Sequence, residues 1–368
     1  MKRVCIILGT RPEAIKLAPV IQTFQSYEGL ETQVILTGQH REMVEQVMGL
    51  FNLKASRDLE IMQPKQSLND ITCRSLRGLQ ELFEESEPSL VLAQGDTTTA
   101  FAAALAAIYQ KIPIGHDEAG LRTDNKLNPY PEEANRRLIS QIAQLHFAPT
   151  PLAEENLQRS GVLGEVHMTG NTVIDALLNV AKSEPPCDVP GLEWNNHRVI
   201  LATVHRRENW GEPLGSIAQS FLQILDKFPD TALLLPLHRN PTVREPLQAM
   251  LGNHSRIFLT EPLDYAQLVG AIMRSHLLLT DSGGLQEEAP SLGKPVLVLR
   301  ETTERPEAVS AGTAKLVGTD TQTIVASAAQ LLSNPAAYET MANAINPFGD
   351  GRASERILEI VKGFLGKD

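Results

Sequence analysis

Short apolar runs, rich in β-branched residues, recur along this chain at intervals that leave room for a helix between them. In the first half they are VCIIL (4–8), QVIL (33–36), LVLA (90–93), IPI (112–114), LHFA (145–148) and VHM (166–168). In the second half they are RVILATV (198–204), ALLLPL (232–237), RIFL (256–259), HLLLT (276–280), PVLVL (295–299) and AKLV (314–317). A strand with one wet face alternates apolar and polar residues. Runs apolar throughout bury both faces, and with helices between them they predict parallel strands covered on each side. Each half holds enough such units for one doubly wound sheet. Residues 181–197, AKSEPPCDVPGLEWNNH, are proline-rich and polar without periodicity, which marks a linker. The expected domains are therefore 1–180 and 198–353. The tail 354–368 reads as an amphipathic helix with Ile357, Ile360, Val361 and Phe364 on one face.

The runs end in GTRPE, TGQH, QGDTTT, HDEAG, TVHRREN, PLHRNP, TEPLDY, TDSGG and RETTERPE. Polar and glycine-rich residues thus gather at the carboxyl ends of the strands, the edge where open α/β sheets bind ligands. Any strand-to-helix turn is polar, but the same bias in both halves predicts two lobes facing each other across a cleft.

Composition narrows the class. With 368 residues, 42% hydrophobic and 21% charged, the chain has the make-up of a soluble globular protein. Its net charge of −11 counts against broad nucleic-acid binding, which needs a basic surface, while leaving room for a small anion held by local arginines. Cys5, Cys73 and Cys187 are odd in number and far apart, as expected of reduced thiols. The apolar run after the basic start is too short for a signal peptide, and no run is long enough to span a bilayer. A cytoplasmic protein with no membrane partner is expected.

The chemistry concentrates in a few stretches. GTRPEAIK (9–16) stands where a dinucleotide fingerprint would, but lacks its spaced glycines. Pro12 suits a first helical turn, leaving Arg11 and Lys16 either to reach a diphosphate or to serve as a cap and a solvated charge. In TDSGGLQEEAPSLGKP (280–295), Ser282, Gly283 and Gly284 open a helix whose N–H groups suit a phosphate, and Glu288 could accept a ribose diol. A plain glycine turn with an exposed acid is the alternative. Asp96 in QGDTTT and His205 and Arg206 in TVHRREN stand at strand ends, where each is either chemical or structural. Residues 115–137 crowd Asp117, Glu118, Glu132 and Glu133 beside Arg122, Arg136 and Arg137. No HExxH, cysteine cluster, P-loop or GxSxG elbow appears.

Taken in order, GTRPEAIKLAP, TGQHREM, GDTTT, HDEAGLRT, PEEANRR, FAPT, TGNTVIDA, HRREN, TDSGGLQEEAPSLGKPVLVLRETTERPEA and NPFGDGRAS resemble the non-hydrolysing UDP-N-acetylglucosamine 2-epimerases from Gly9 to Ser354. The resemblance implies a glycosyltransferase-B-like fold of two Rossmann-like lobes with the active site between them, the C-terminal helix crossing back onto the first. It implies interconversion of UDP-GlcNAc and UDP-ManNAc for bacterial surface polysaccharide, with no cofactor or metal, by a homodimer. By motif, Arg11, Lys16, Ser282, Gly283, Gly284, Glu288 and Arg305 would hold UDP, and main-chain groups within 262–268 would meet uracil. Asp96, Glu118, Glu132, Arg136 and His205 would form the catalytic set. Some members bind a second UDP-GlcNAc as activator, at positions matching Gln39, His40, Gln66, Arg206 and His238. Glu42 and Lys65 depart from the Gln and Arg such members tend to carry. Asp117 also departs, from an apolar residue; it either faces a basic partner, or raises the pKa of Glu118, or is exposed.

Inverting C2 requires removing a proton with no adjacent carbonyl to acidify it, so elimination of UDP to 2-acetamidoglucal and re-addition is the plausible route. Departing diphosphate needs preorganised positive charge, and proton transfer on two faces needs more than one acid/base group. Clustered carboxylates should leave at least one with a raised pKa. Glu118 and Asp96 are expected at C2 with Glu132 in support. Arg136, one turn after Glu132, is placed to pair with it or with the intermediate. The rivals are a hydrolysing epimerase, a glycosyltransferase of the same fold, and a silent UDP-sugar sensor.

Overall fold

The structure is a computed structural model that describes residues 1–38, 41–63, 65–123, 125–127 and 129–367. The chain forms two compact units, Met1–Ala176 with Phe348–Asp368, and Leu177–Pro347.

The first unit carries β1 (Lys2–Leu8), β2 (Leu30–Leu36), β3 (Arg57–Asp58), β4 (Leu90–Gln94), β5 (Ile114–Asp117), β6 (Leu145–Ala148) and β7 (Glu165–Met168). They pair in parallel in the order β3-β2-β1-β4-β5-β6-β7. The second unit carries β8 (Arg198–Thr203), β9 (Thr231–Pro236), β10 (Ile257–Thr260), β11 (Leu277–Thr280), β12 (Val296–Val298) and β13 (Ala314–Leu316). Its parallel order is β10-β9-β8-β11-β12-β13. Counted within its own unit, each sheet has the Rossmann order, with a crevice where the winding reverses: beside β1 and β4 in one, beside β8 and β11 in the other.

Both cores follow from strands apolar on two faces. Ile7, Val91 and Ile114 pack with Phe83 and Ala103 from flanking helices in the first unit. Leu233, Leu279 and Leu297 pack with Phe221 and Ile324 in the second. The helix Thr98–Tyr109 is alanine-rich, and its small side chains let it bury nearly all round.

Two strands differ from the apolar-run reading. β3 is only Arg57–Asp58, pairing with Ile35 and Leu36, and no hydrophobic run announces it. β5 occupies Ile114–Asp117, not 112–114. Pro113 has no N–H to give a ladder, so pairing starts at Ile114 and continues until Asp117 lies opposite Gln94. His116 and Asp117 therefore belong to the sheet.

The helix Ala353–Leu365 packs against the helix Arg11–Gln25. Its buried apolar side chains are Ile357, Leu358, Val361 and Leu365, whereas the expected Ile360 and Phe364 are only half-buried. Asp175 accepts its first N–H groups, from Ser354 at 2.7 Å and Ala353 at 3.2 Å. No helix among the described residues is long and apolar enough to cross a membrane.

Candidate active site

In the first unit the predicted residues converge where the sheet reverses. Beyond β1, Thr10 and Glu13 form a capping box that starts the helix Arg11–Gln25. Glu13 is buried and accepts from Gly9 N at 3.0 Å, Thr10 N at 2.7 Å and Thr97 Oγ1 at 2.6 Å. Burial raises its pKa, against those hydrogen bonds. Thr97 in turn caps the helix after β4 through Ala100 N. One carboxylate therefore ties the turn carrying Arg11 and Lys16 to the turn carrying Asp96.

Glu118 is the centre of the arrangement. Its Oε1 accepts from Lys16 Nζ at 2.5 Å and Asn171 Nδ2 at 3.1 Å, and its Oε2 from Gln94 Nε2 at 2.6 Å. Its backbone is left-handed, with φ +58°, an unfavourable state for a residue with a Cβ. Glu118 thus follows the last residue of β5 at a sharp change of direction, held by side chains from three other segments of chain.

Asp96 accepts from Arg136 at 2.5 Å, and its carbonyl from Asn135 Nδ2 at 2.9 Å. Burial pushes the Asp96 carboxyl up; the Arg136 charge opposes this and Glu118 adds to it. Arg136 reaches Asp96, with Glu133 Oε2 at 3.5 Å, where the helical spacing offered Glu132 or the intermediate as its partner. Glu132 opens the helix Glu132–Ile142 and, with Lys16, Gln94, Asp96 and Glu118, lines a cavity of 380 Å³. The structure thus gathers Lys16, Asp96, Glu118 and Glu132 around one space. Arg11 opens its helix half-buried.

Other described residues of 115–137 bond to neighbouring parts of the first unit. Glu133 is fully buried, accepting from Arg137 at 2.6 Å and from Thr123 N at 3.1 Å. Arg122 donates to Leu121 O and Ser140 Oγ, and burial lowers its pKa to about 10. Asp117 is neither exposed nor paired with a base: it is buried, and its Oδ2 accepts from Thr172 Oγ1 at 2.9 Å. Burial, and then the charge of Glu118, push Asp117 up to about 7. His116 Nε2 lies 2.7 Å from Gly95 O, and burial lowers His116 to about 3.

The second unit repeats the placement. His205 and Arg206 follow β8, and Asp281 to Gly284 follow β11. Asp281 is fully buried, and its Oδ2 accepts from His205 N and Arg206 N, each at 2.9 Å, and Asn209 Nδ2 at 3.0 Å. Its Oδ1 lies 2.8 Å from His205 Nδ1. That contact is attractive only with a proton on Nδ1, which leaves Nε2 as the working nitrogen of the neutral ring. Burial raises Asp281 but its bonds to His205 and Arg206 outweigh it, so its pKa is lowered.

Ser282 occupies the N-cap position of the helix Gly283–Glu288 without a side-chain capping bond. A Cβ built on Gly283 would lie 3.6 Å from an Arg206 guanidinium nitrogen and 3.9 Å from the Arg305 guanidinium. Two guanidiniums therefore flank this glycine, and Arg305 is held by the buried Glu287. Glu288 accepts from Tyr265 Oη at 2.9 Å. Within 262–268 the chain is helical from Tyr265, with Asp264 as cap, so only its first residues form an open loop.

Of the expected activator positions, Gln39 and His40 lie outside the described residues. Gln66 donates to Ile61 O and accepts from Gln63 N in the first unit. Arg206 and His238 are in the second unit, where the His238 and His205 rings stack at 6.1 Å. Among the described residues no group of three or more His, Cys, Asp or Glu could hold a metal ion.

Sequence reasoning missed the residues that hold the site: Gln94, Asn171, Glu13 and Asp281. Asp281 gave a signal, an acid before Ser-Gly-Gly at a strand end opposite the β8 turn. Gln94 and Asn171 gave none, because their partner Glu118 lies on another segment.

Each unit is therefore a nucleotide-type Rossmann domain with its polar residues at the switch point, and the first concentrates carboxylates on one cavity. Residues 22–362 match the family described as UDP-N-acetylglucosamine 2-epimerase. The chain is 51% identical over 366 residues to the UDP-N-acetylglucosamine 2-epimerase of Neisseria meningitidis, covering 97% of this chain and 98% of that one. It is similar to the crystal structure of UDP-GlcNAc 2-epimerase from Neisseria meningitidis bound to UDP-GlcNAc, with a TM-score of 0.88, 50% identity and 99% and 100% coverage. A putative UDP-N-acetylglucosamine 2-epimerase from Listeria monocytogenes superposes with a TM-score of 0.93, 45% identity and 100% and 98% coverage. The chain belongs to the UDP-N-acetylglucosamine 2-epimerase family, and with it to the non-hydrolysing isomerases.

Proposed function

We propose that this chain interconverts UDP-GlcNAc and UDP-ManNAc by eliminating and re-adding UDP. A carboxylate takes the C2 proton, the C2–H pair forms the C1–C2 double bond, and the C1–O pair leaves with the β-phosphate of UDP. The 2-acetamidoglucal then receives a proton on the opposite face of C2, and the β-phosphate oxygen attacks C1. Atoms and charge balance without an oxidant or a metal.

Glu118 and Asp96 act at C2, and Glu132 supports them. Glu118, given three donors, is held as the ionised base. Asp96, pushed up by burial, is the group able to give a proton. The groups assigned to the departing diphosphate are Arg11 of the first unit and His205 and Arg305 of the second, where Arg206 and Arg305 flank Gly283. Lys16 donates to Glu118 and so has a second task besides UDP. Ser282, Gly283, Gly284 and Glu288 complete the UDP set. We further assign the protein to the cytoplasm as a homodimer supplying ManNAc units for surface polysaccharide.

The observation that carries this reading is Glu118, strained and triply bonded on a cavity shared with Asp96 and Glu132. Incubation with UDP-GlcNAc in D2O, followed by NMR, tests it. Deuterium should appear at C2 of UDP-ManNAc and of recovered UDP-GlcNAc. Free ManNAc would indicate hydrolysis, and transfer only to an added acceptor would indicate a glycosyltransferase. Turnover without deuterium at C2 would remove the proton-transfer step altogether.

A further inference from the structure

Behind Glu118, the segment Thr169–Thr172 meets the segment by which the chain re-enters the first unit. Asn171 N donates to Phe348 O at 2.7 Å. The two backbones touch at glycines: a Cβ on Gly170 would lie 3.4 Å from Gly349 Cα, and one on Gly349 3.4 Å from Asn171 N. Both glycines have positive φ, +89° and +140°, so a side chain at either would be strained as well as crowded. Phe348 is 1% exposed, which anchors its carbonyl. The Asn171 side chain is also fixed: its Oδ1 accepts from Val173 N at 3.1 Å, at the start of the helix Thr172–Ala181. That leaves Nδ2 directed at Glu118 Oε1, 3.1 Å away, with the whole residue 2% exposed.

From this geometry we infer that Asn171 is the positioning residue of Glu118, and that the returning segment Phe348–Gly349 sets its orientation. Lys16 reaches Glu118 Oε1 along a long stem, and the buried Gln94 bonds the other oxygen, Oε2. Asn171 is short, buried and held at its backbone and its oxygen, so it fixes Oε1 in one direction. A neutral donor also suits a base that must change protonation state in each half-reaction, because it adds no charge.

The role of Asn171 rests on the reading that Glu118 acts at C2. Asn171→Asp tests that orientation. The aspartate keeps an oxygen for Val173 N, and so the helix cap, but replaces the donor to Glu118 with an acceptor. The melting temperature should fall, because the new carboxylate is buried beside Glu118, so turnover is read at a temperature where the variant is folded. Turnover should fall by between about tenfold and a hundredfold, the range for losing a bond to a charged group, with little change in KM. The acid limb of the kcat profile should move to higher pH, since the donor no longer favours ionised Glu118. Asn171→Asp with unchanged kcat and acid limb, while Glu118→Gln is inactive, would overturn the positioning role alone. Glu118→Gln with near-normal turnover would overturn the reading beneath it. Gly349→Ala, which crowds Asn171 N, should lower kcat in the same direction as Asn171→Asp; unchanged kcat would remove the returning segment from the inference.

Discussion

Asp117 shows how much a single residue's setting depends on where a strand ends. It sits inside β5 with one oxygen bonded to Thr172 and its partner oxygen buried without a hydrogen bond. Its carboxyl titrates near 7 when folded and at about 3.9 when unfolded. Between those values the folded protein binds the extra proton, so Asp117 favours folding at low pH and loses that contribution as pH rises through 7. His116 and His146, lowered by burial to about 3 and about 4, have the opposite effect: they favour folding increasingly as pH rises towards the ordinary histidine value of about 6.5. Subtracting Asp117→Asn from the unaltered protein cancels the histidines. Urea midpoints at about pH 5 and about pH 8 should show the unaltered protein losing stability relative to the variant as pH rises; equal slopes would mean that Asp117 is not protonated in the fold.

At the scale of the element, strands with two buried faces were legible because their apolar runs leave no other arrangement. Errors came where that signal fails. β3 is a charged pair drawn into the sheet by its neighbour's ladder, and β5 was displaced by a proline that cannot donate. The placement of Arg11, Asp96, Glu118 and His205 just after strand ends, and of Lys16 one turn into the first helix, was legible for the same reason as the strands. Their supports were not, because Asn171 meets Glu118 across 53 residues and Asp281 meets His205 across 76. The C-terminal helix is a related case. Its amphipathic face was visible in sequence, but its start is set by Asp175, 179 residues before Ser354. Asp175→Ala would leave two first-turn N–H groups buried without acceptors, and should cost about 1–2 kcal/mol in a denaturant titration. Hydrogen exchange should quicken first at residues 353–356; unchanged protection there would show that packing, not the cap, begins the helix.

For the whole molecule, the informative fact is that the first unit is made from both ends of the chain while the second is continuous. Each has its own core, and no residue belongs to both. The first unit depends on its last segment, since Ile357, Val361 and Leu365 are withdrawn from water with the face of the helix Arg11–Gln25. That segment begins with Phe348, which holds Asn171, so the stability of the C-terminal helix and the geometry at Glu118 draw on the same stretch of chain. Val361 is 0% exposed, and Val361→Asp would bury an unpaired carboxylate at a cost of about 3 kcal/mol or more. If the cores are independent, that cost falls on one of them. Exchange measured by mass spectrometry should quicken in β1 and in the helix Arg11–Gln25, while β9 and β11 keep their protection. A uniform loss across both sheets would instead make the two units a single cooperative structure.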